Sequence, residues 1–158
     1  MYLIDTNVIS EARKRDKADA GVIEFFDEAT ARNEPLYLSV VTVGELRRSV
    51  ELIRHRGDQP QAKLLETWLH GMLAQYADNI LGFDAEAAQV WGRLRVPRPE
   101  HEIDKQIAAT ALVHDLIVVT RNTADFAGTG VTLINPFNLK TAVDRLSPLD
   151  APRECTLF

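Results

Sequence analysis

The sequence predicts an α/β protein: a three-layer α/β/α sandwich built on a mainly parallel sheet of about five strands. Two observations carry that expectation. Short apolar runs alternate with stretches of helical periodicity, and the strongest run, Leu116 to Val119, reads as a strand buried on both faces. With 158 residues, 46% hydrophobic and 26% charged, the chain suits one soluble domain with a substantial core. Residues 1–139 are expected to form that domain and 140–158 a weakly patterned C-terminal tail.

Tyr2 to Ile4 is the first apolar run and ends on Asp5; a helix follows from Thr6 to about Lys14. A second helix is expected over Ala18 to Arg32, where Val22, Phe25, Phe26 and Ala29 share a stripe, and Asn33-Glu34-Pro35 breaks it. Leu36 to Val40 is the second strand. The third helix, Thr42 to Arg56, carries Val43, Leu46, Val50 and Ile53, and Gly57-Asp58 ends it. A fourth, Gln61 to Gln75, places Leu64, Leu65, Trp68, Leu69 and Met72 at helical spacing and pairs with the third as a hairpin. Ile80 to Phe83 reads as a strand, and Ala85 to Val96 as a helix stopped by Pro97 and Pro99. Glu102 to His114 is the last helix, with Ile103, Ile107 and Ala111 on one face. Leu116 to Val119 and Val131 to Ile134 complete the strands.

The net charge of −5 argues against a protein that coats nucleic acid, yet leaves room for basic patches that hold phosphate. Three are candidates: Arg13-Lys14-Arg15 with Lys17; Arg47-Arg48 with Arg54 and Arg56; and Arg93, Arg95 and Arg98. Read singly, each is an ordinary solvated helix face. The single cysteine, Cys155, excludes an internal disulfide or a cysteine-built zinc site. No apolar run approaches the ~18 residues of a membrane span, and the opening Met1-Tyr2-Leu3-Ile4-Asp5 has no leader pattern, so a cytoplasmic enzyme is expected. The chain contains no G-x-x-x-x-G-K-[ST] or G-x-G-x-x-G loop and no G-x-S-x-G elbow.

Ligands of open parallel sheets sit beyond the carboxyl ends of the strands. Asp5 follows the first strand directly, Asp125 follows the fourth by a few residues, and Glu45 lies early in the helix that leaves the second. Asp104 opens a crossover helix that runs antiparallel to the strands, so it begins at the same edge. Each acid alone has a structural reading as a cap, a turn residue or a solvated helix acid. Together they imply one acidic rim. Two carboxylates ~4 Å apart repel by ~1 kcal/mol in water and ~4 kcal/mol at an intermediate dielectric, and a hard divalent cation, Mg²⁺ or Mn²⁺, removes that cost. Such ions can activate water for phosphodiester cleavage. Thr6 and Asn7 beside Asp5, and Thr120 and Asn122 on the same rim, are placed to orient the acids or a phosphate. His101 stands within reach of the rim but reads as an exposed loop histidine.

These segments resemble PIN-domain ribonucleases. Leu3-Ile4-Asp5-Thr6-Asn7-Val8-Ile9-Ser10 is similar to the family's opening motif, Val43-Gly44-Glu45-Leu46 to its second, Asp104-Lys105-Gln106-Ile107-Ala108-Ala109-Thr110-Ala111 to its third, and Val119-Thr120-Arg121-Asn122-Thr123-Ala124-Asp125-Phe126 to its fourth. Spacing and a helical middle most resemble the VapC toxins of bacterial type II toxin–antitoxin pairs, including the FitB-like branch. The resemblance covers about residues 1 to 137. It implies a PIN-like sandwich, Asp5, Glu45, Asp104 and Asp125 as metal-binding acids, and Thr6, Thr120 and Asn122 assisting. It further implies a homodimer, an RNA substrate, and a cognate antitoxin that blocks the site. The competing readings are a PIN nuclease of RNA processing or structured DNA, and a non-catalytic Mg²⁺-binding receiver-like regulator. Receiver-like domains put a lysine at the end of a late strand, whereas Thr120 and Arg121 follow Val119 here.

Overall fold

A computed structural model describes residues 1–138 of the chain, and the expected tail at 140–158 lies outside them. Within these residues the strands are β1 (Tyr2–Ile4), β2 (Leu36–Ser39), β3 (Ile80–Leu81), β4 (Ile117–Val119) and β5 (Leu133–Ile134). The helices are α1 (Thr6–Ala12), α2 (Ala20–Ala31), α3 (Val40–His55), α4 (Gln59–Gln75), α5 (Ala85–Leu94) and α6 (Glu102–Val113). The strands form one sheet in the order β3-β2-β1-β4-β5, every neighbouring pair parallel. The predicted α/β/α class and strand number hold.

Adjacent residues of a strand point to opposite faces, and the core divides accordingly. Ile4, Leu38 and Val119 face one cluster, filled by Val8 and Ile9 of α1, Val22 and Phe25 of α2, Leu46 and Val50 of α3, and Leu69 and Met72 of α4. Leu3 and Val118 face the other, filled by Ile107, Ala108 and Ala111 of α6 and by Phe126. Alanines on α6 let that helix lie close to the strands. α5 packs on α6 outside it.

Local chemistry explains where helices begin. Ser39 Oγ accepts from the Val41 N–H, so α3 starts at Val40, which the sequence places in the preceding strand. Asp58 accepts from the Gln61 N–H and Pro60 sits in the first turn, so α4 begins at Gln59 rather than Gln61. Gly57, at φ 91°, provides the left-handed residue that turns α3 into α4. The hairpin is clasped by Glu66, whose carboxylate oxygens take Arg47 at 2.6 Å and Arg54 at 2.9 Å. The second candidate basic patch is therefore largely neutralised within the protein. Two expected stripe residues face outward instead: Leu64 is 67% exposed and Ile103 40%. Among the described residues no helix is long and apolar enough to cross a membrane.

Candidate active site

β1 and β4 are neighbours although they are far apart in sequence, and Ile4 pairs with Val119. Strand order reverses at this point, so the chain leaves β1 toward one side and β4 toward the other. A crevice opens between the two departures. The residues one step beyond the pair are Asp5 and Thr120. The Asp5 N–H donates to the Val119 carbonyl at 3.0 Å and the Thr120 N–H to the Ile134 carbonyl at 2.9 Å, so both backbones are fixed by the sheet.

Asp5 is 4% exposed and its carboxylate is held by three donors. Oδ1 accepts from the Thr6 N–H at 2.6 Å; Oδ2 accepts from Asn7 Nδ2 and from Thr120 Oγ1, each at 2.7 Å. Asp5 is also the N-cap of α1, so its structural reading and its place on the rim are both correct. Asn7 extends the lattice: its Nδ2 donates to Thr120 Oγ1 at 3.2 Å, and its Oδ1 accepts from the Arg121 N–H at 3.0 Å. The Asn122 N–H donates to Thr120 Oγ1 at 3.0 Å. Thr6 and Asn122 thus act here through their backbone N–H groups, Asn7 and Thr120 through their side chains. Burial pushes the Asp5 carboxyl above its ordinary range, the three hydrogen bonds pull it back, and the Asp125 charge adds a smaller upward push.

Asp104 is the third residue of α6, and Asp125 lies in a one-turn 3₁₀ helix, Thr123–Phe126, that follows β4. Burial, then the charges of Asp5 and Asp125, raise the Asp104 carboxyl to about 6, with His101 opposing. His101 caps α6 in the left-handed conformation at φ 56°. Its Nδ1 lies 3.5 Å from Asp125 Oδ1 and 3.9 Å from Asp104 Oδ2. Among the described residues, His101, Asp104 and Asp125 form a group whose ligand atoms all lie within 4.8 Å of one another. The sequence placed His101 on an exposed loop; it is half exposed, yet its backbone turns the ring onto the acids. A histidine three residues ahead of a helix acid was the available signal.

Glu45 is carried by a different helix from the other acids. It occupies the second turn of α3, two residues further along the helix than the sequence suggests because the helix starts at Val40 rather than Thr42, and its Oε2 lies 3.9 Å from Arg48 Nη1. The charges of Asp5 and Asp125 act on Asp104, and His101 joins Asp104 and Asp125, while the contact that Glu45 makes is with Arg48.

The donor set fits a divalent ion. Carboxylate oxygens suit Mg²⁺ or Mn²⁺, and a single imidazole is acceptable to Mn²⁺. Burial raises the Asp104 carboxyl most, and the charges of Asp5 and Asp125 raise it further, a repulsion that a bound cation would relieve.

Comparison with known proteins agrees with this geometry. A family model described as PIN domain matches residues 2–130. Toxin FitB of Neisseria gonorrhoeae is 36% identical over 143 residues, covering 87% of this chain and 99% of FitB. VapC ribonuclease Y4jK of Sinorhizobium fredii is 34% identical over 146 residues, covering 87% of this chain and 98% of that protein. The crystal structure of FitAcB from Neisseria gonorrhoeae superposes with a TM-score of 0.76 at 35% identity, over 88% of this chain and 100% of that one. A parallel sheet with an acid-lined switch point, matched along its length by these relatives, has one family: the chain belongs to the PIN-domain proteins, on their FitB/VapC branch.

Proposed function

We propose that this chain is a Mg²⁺- or Mn²⁺-dependent endoribonuclease, the toxin of a toxin–antitoxin pair, which hydrolyses RNA phosphodiester bonds with water. The observation that supports this most is the gathering of Asp5, Asp104 and Asp125, in which burial first and then the charges of Asp5 and Asp125 lift Asp104 to about 6. Such a rim is unfavourable by itself and suits a cation that carries a phosphate. Relatives named as a toxin and as a VapC ribonuclease support the growth-arrest and RNA parts of the reading.

In this reading Asp5, Glu45, Asp104 and Asp125 hold the ion, and Thr6, Asn7, Thr120 and Asn122 assist. A bound divalent ion supplies positive charge to the scissile phosphate and lowers the pKa of a water. The chain's own residues supply preorganisation. Three donors on Asp5 hold its carboxylate in one orientation, so no rotamer freedom is lost when substrate arrives. Asn7 ties the ends of β1 and β4 together, which fixes the width of the crevice. Glu45 is tied only to the exposed Arg48, a contact weak enough to be given up. A cognate antitoxin that covers the rim, a homodimer and a cytoplasmic location complete the proposal.

Purified protein incubated with a structured RNA panel is expected to cut it with Mg²⁺ or Mn²⁺ and to stop on chelation. Asp5→Asn and Asp104→Asn should each lower the rate by at least about a hundredfold. Equal cleavage by both variants would expose a contaminating nuclease and end the assignment. Expression without a partner protein should arrest growth, and those same substitutions should relieve the arrest.

A further inference from the structure

Next to the acids lies a second concave feature. The loop between α5 and α6 and the turn after the Thr123–Phe126 helix enclose a cavity of about 720 Å³, within the range of small-ligand sites. Its walls are mixed: Leu94, Val96 and Pro97 give an apolar stretch on one side and Ala124 and Ala127 on the other, with Arg98, Glu100, Lys105 and Thr129 between them. Val96 is 77% exposed, an apolar side chain presented to solvent at a cavity edge. His101 and Asp125 border the cavity and also belong to the group with Asp104, so the cavity and the acidic rim are continuous.

Lys105 supplies the chemistry. It lines the cavity, is only 6% exposed, and donates from Nζ to the Arg98 carbonyl. Among the described residues it forms no ion pair, and Glu100, the other carboxylate at the cavity, is exposed. An ammonium carries three donors, and a buried charge without a counter-charge is costly. Tying one carbonyl needs no charge; a neutral amide would do it more cheaply. A buried cation with spare donors, facing a cavity with apolar stretches in its walls, fits an anionic group attached to a flat apolar one.

We propose that this cavity is a nucleotide subsite for the substrate strand. Lys105 holds the phosphate next to the scissile one, and the Val96–Pro97 and Ala124–Ala127 walls take the base. The assignment rests on the nuclease reading and names where the substrate lies.

The test is a titration that needs no catalysis. AMP, UMP and inorganic phosphate are added to ¹⁵N-labelled protein while the amides of Val96, Arg98, Glu100, His101 and residues 124–129 are followed. Saturable shifts with both nucleotides are expected there. Lys105→Met, which keeps the apolar stem, and Ala127→Phe, which fills the cavity and leaves the Lys105–Arg98 contact in place, should each weaken binding by about tenfold or more. In RNA cleavage the same variants should raise KM by about tenfold with kcat within about threefold, the pattern of lost uniform binding. A loop clasp alone would make Lys105→Met defective and leave Ala127→Phe untouched; that result overturns the proposal. Inorganic phosphate binding as tightly as AMP, or unchanged AMP affinity and KM in both variants, also overturns it. Nucleotide binding here by a protein that cuts no RNA would uphold the site and sink the nuclease reading instead.

Discussion

The carboxylate of Asp5 caps α1 through the Thr6 N–H while its second oxygen receives Asn7 and Thr120. Stability and chemistry therefore draw on the same atoms and can be separated by substitution. Asp5→Ala removes an N-cap, which costs about 1 kcal/mol, and strands the Asn7 and Thr120 donors in a buried place at about 1–3 kcal/mol more. Relief of the burial that raises the Asp5 carboxyl offsets part of this. A net loss of about 2 kcal/mol is expected in urea unfolding. Asp5→Asn keeps an oxygen for the cap but puts an amide NH₂ where Oδ2 accepted from Asn7 and Thr120, so it should lose less stability than Asp5→Ala by about the 1 kcal/mol of the cap while losing cleavage. Equal stability of the two variants would show that the cap contributes little. His101 and Lys105 mark the limit of sequence reading at this scale. The left-handed backbone at His101 and the burial of Lys105 come from how the α5–α6 loop packs, and no residue pattern on the helix itself encodes either.

Helices and strands were legible where periodicity is long, and less so at their ends. All six helices and five strands lie where apolar spacing puts them, but α3 and α4 start earlier than predicted because Ser39 and Asp58 cap them. Both are standard capping residues, so the signal was present; β-propensity at Val40 and Val41 outweighed it in reading. Leu64 and Ile103 fit their stripes and still face solvent, since a helical stripe wider than the surface beneath it leaves an edge uncovered. One packing constraint left no trace in periodicity. Gly21, in the first turn of α2, lies against Pro136 in a one-turn helix after β5, and a Cβ there would fall inside contact distance of the Pro136 carbonyl oxygen. Backbone cannot yield as a flexible side chain does. Despite the better helix propensity of alanine, Gly21→Ala should destabilise by about 1–3 kcal/mol. For a chain of this size that lowers Tm by several degrees, about 2–4 °C per kcal/mol. An unchanged or raised Tm would mean that the Pro136–Asn138 segment shifts at no cost.

Across the molecule, what the sequence revealed best was convergence. A parallel sheet sends the ends of β1 and β4 and the start of α6 to one edge, so Asp5, Asp104 and Asp125 could be brought together without any side-chain coordinate. Topology supplies edges, not rotamers, which is why it could not foresee the contact between Glu45 and Arg48. The convergence has a thermodynamic consequence for the whole chain. Asp104 ionises at about 6 when folded, against an ordinary 3.8, so between those values the folded state holds a proton that the unfolded state has released. Stability of the metal-free protein must then fall as pH rises through that window and stay low above it. Asp5 is raised as well and acts in the same direction. Glu11, Glu51 and Glu66 are lowered from an ordinary 4.5, so their contributions are complete above that pH, are lost only as pH falls below it, and leave the upper window to the acidic site. One pKa unit corresponds to about 1.4 kcal/mol, so the penalty is on the order of 1–3 kcal/mol. Calorimetry with chelator should give a Tm several degrees lower at pH 7.5 than at pH 5. Asp104→Asn should flatten that profile and raise Tm at pH 7.5, because the repelled charge is gone. Mg²⁺ or Mn²⁺ should raise the Tm of the parent more at pH 7.5 than at pH 5, since protons and cation compete for the same oxygens, and should do so weakly in Asp104→Asn. A profile identical in parent and variant would mean that neither burial nor the charges of Asp5 and Asp125 raise Asp104, and the electrostatic basis for placing a cation among them would be lost.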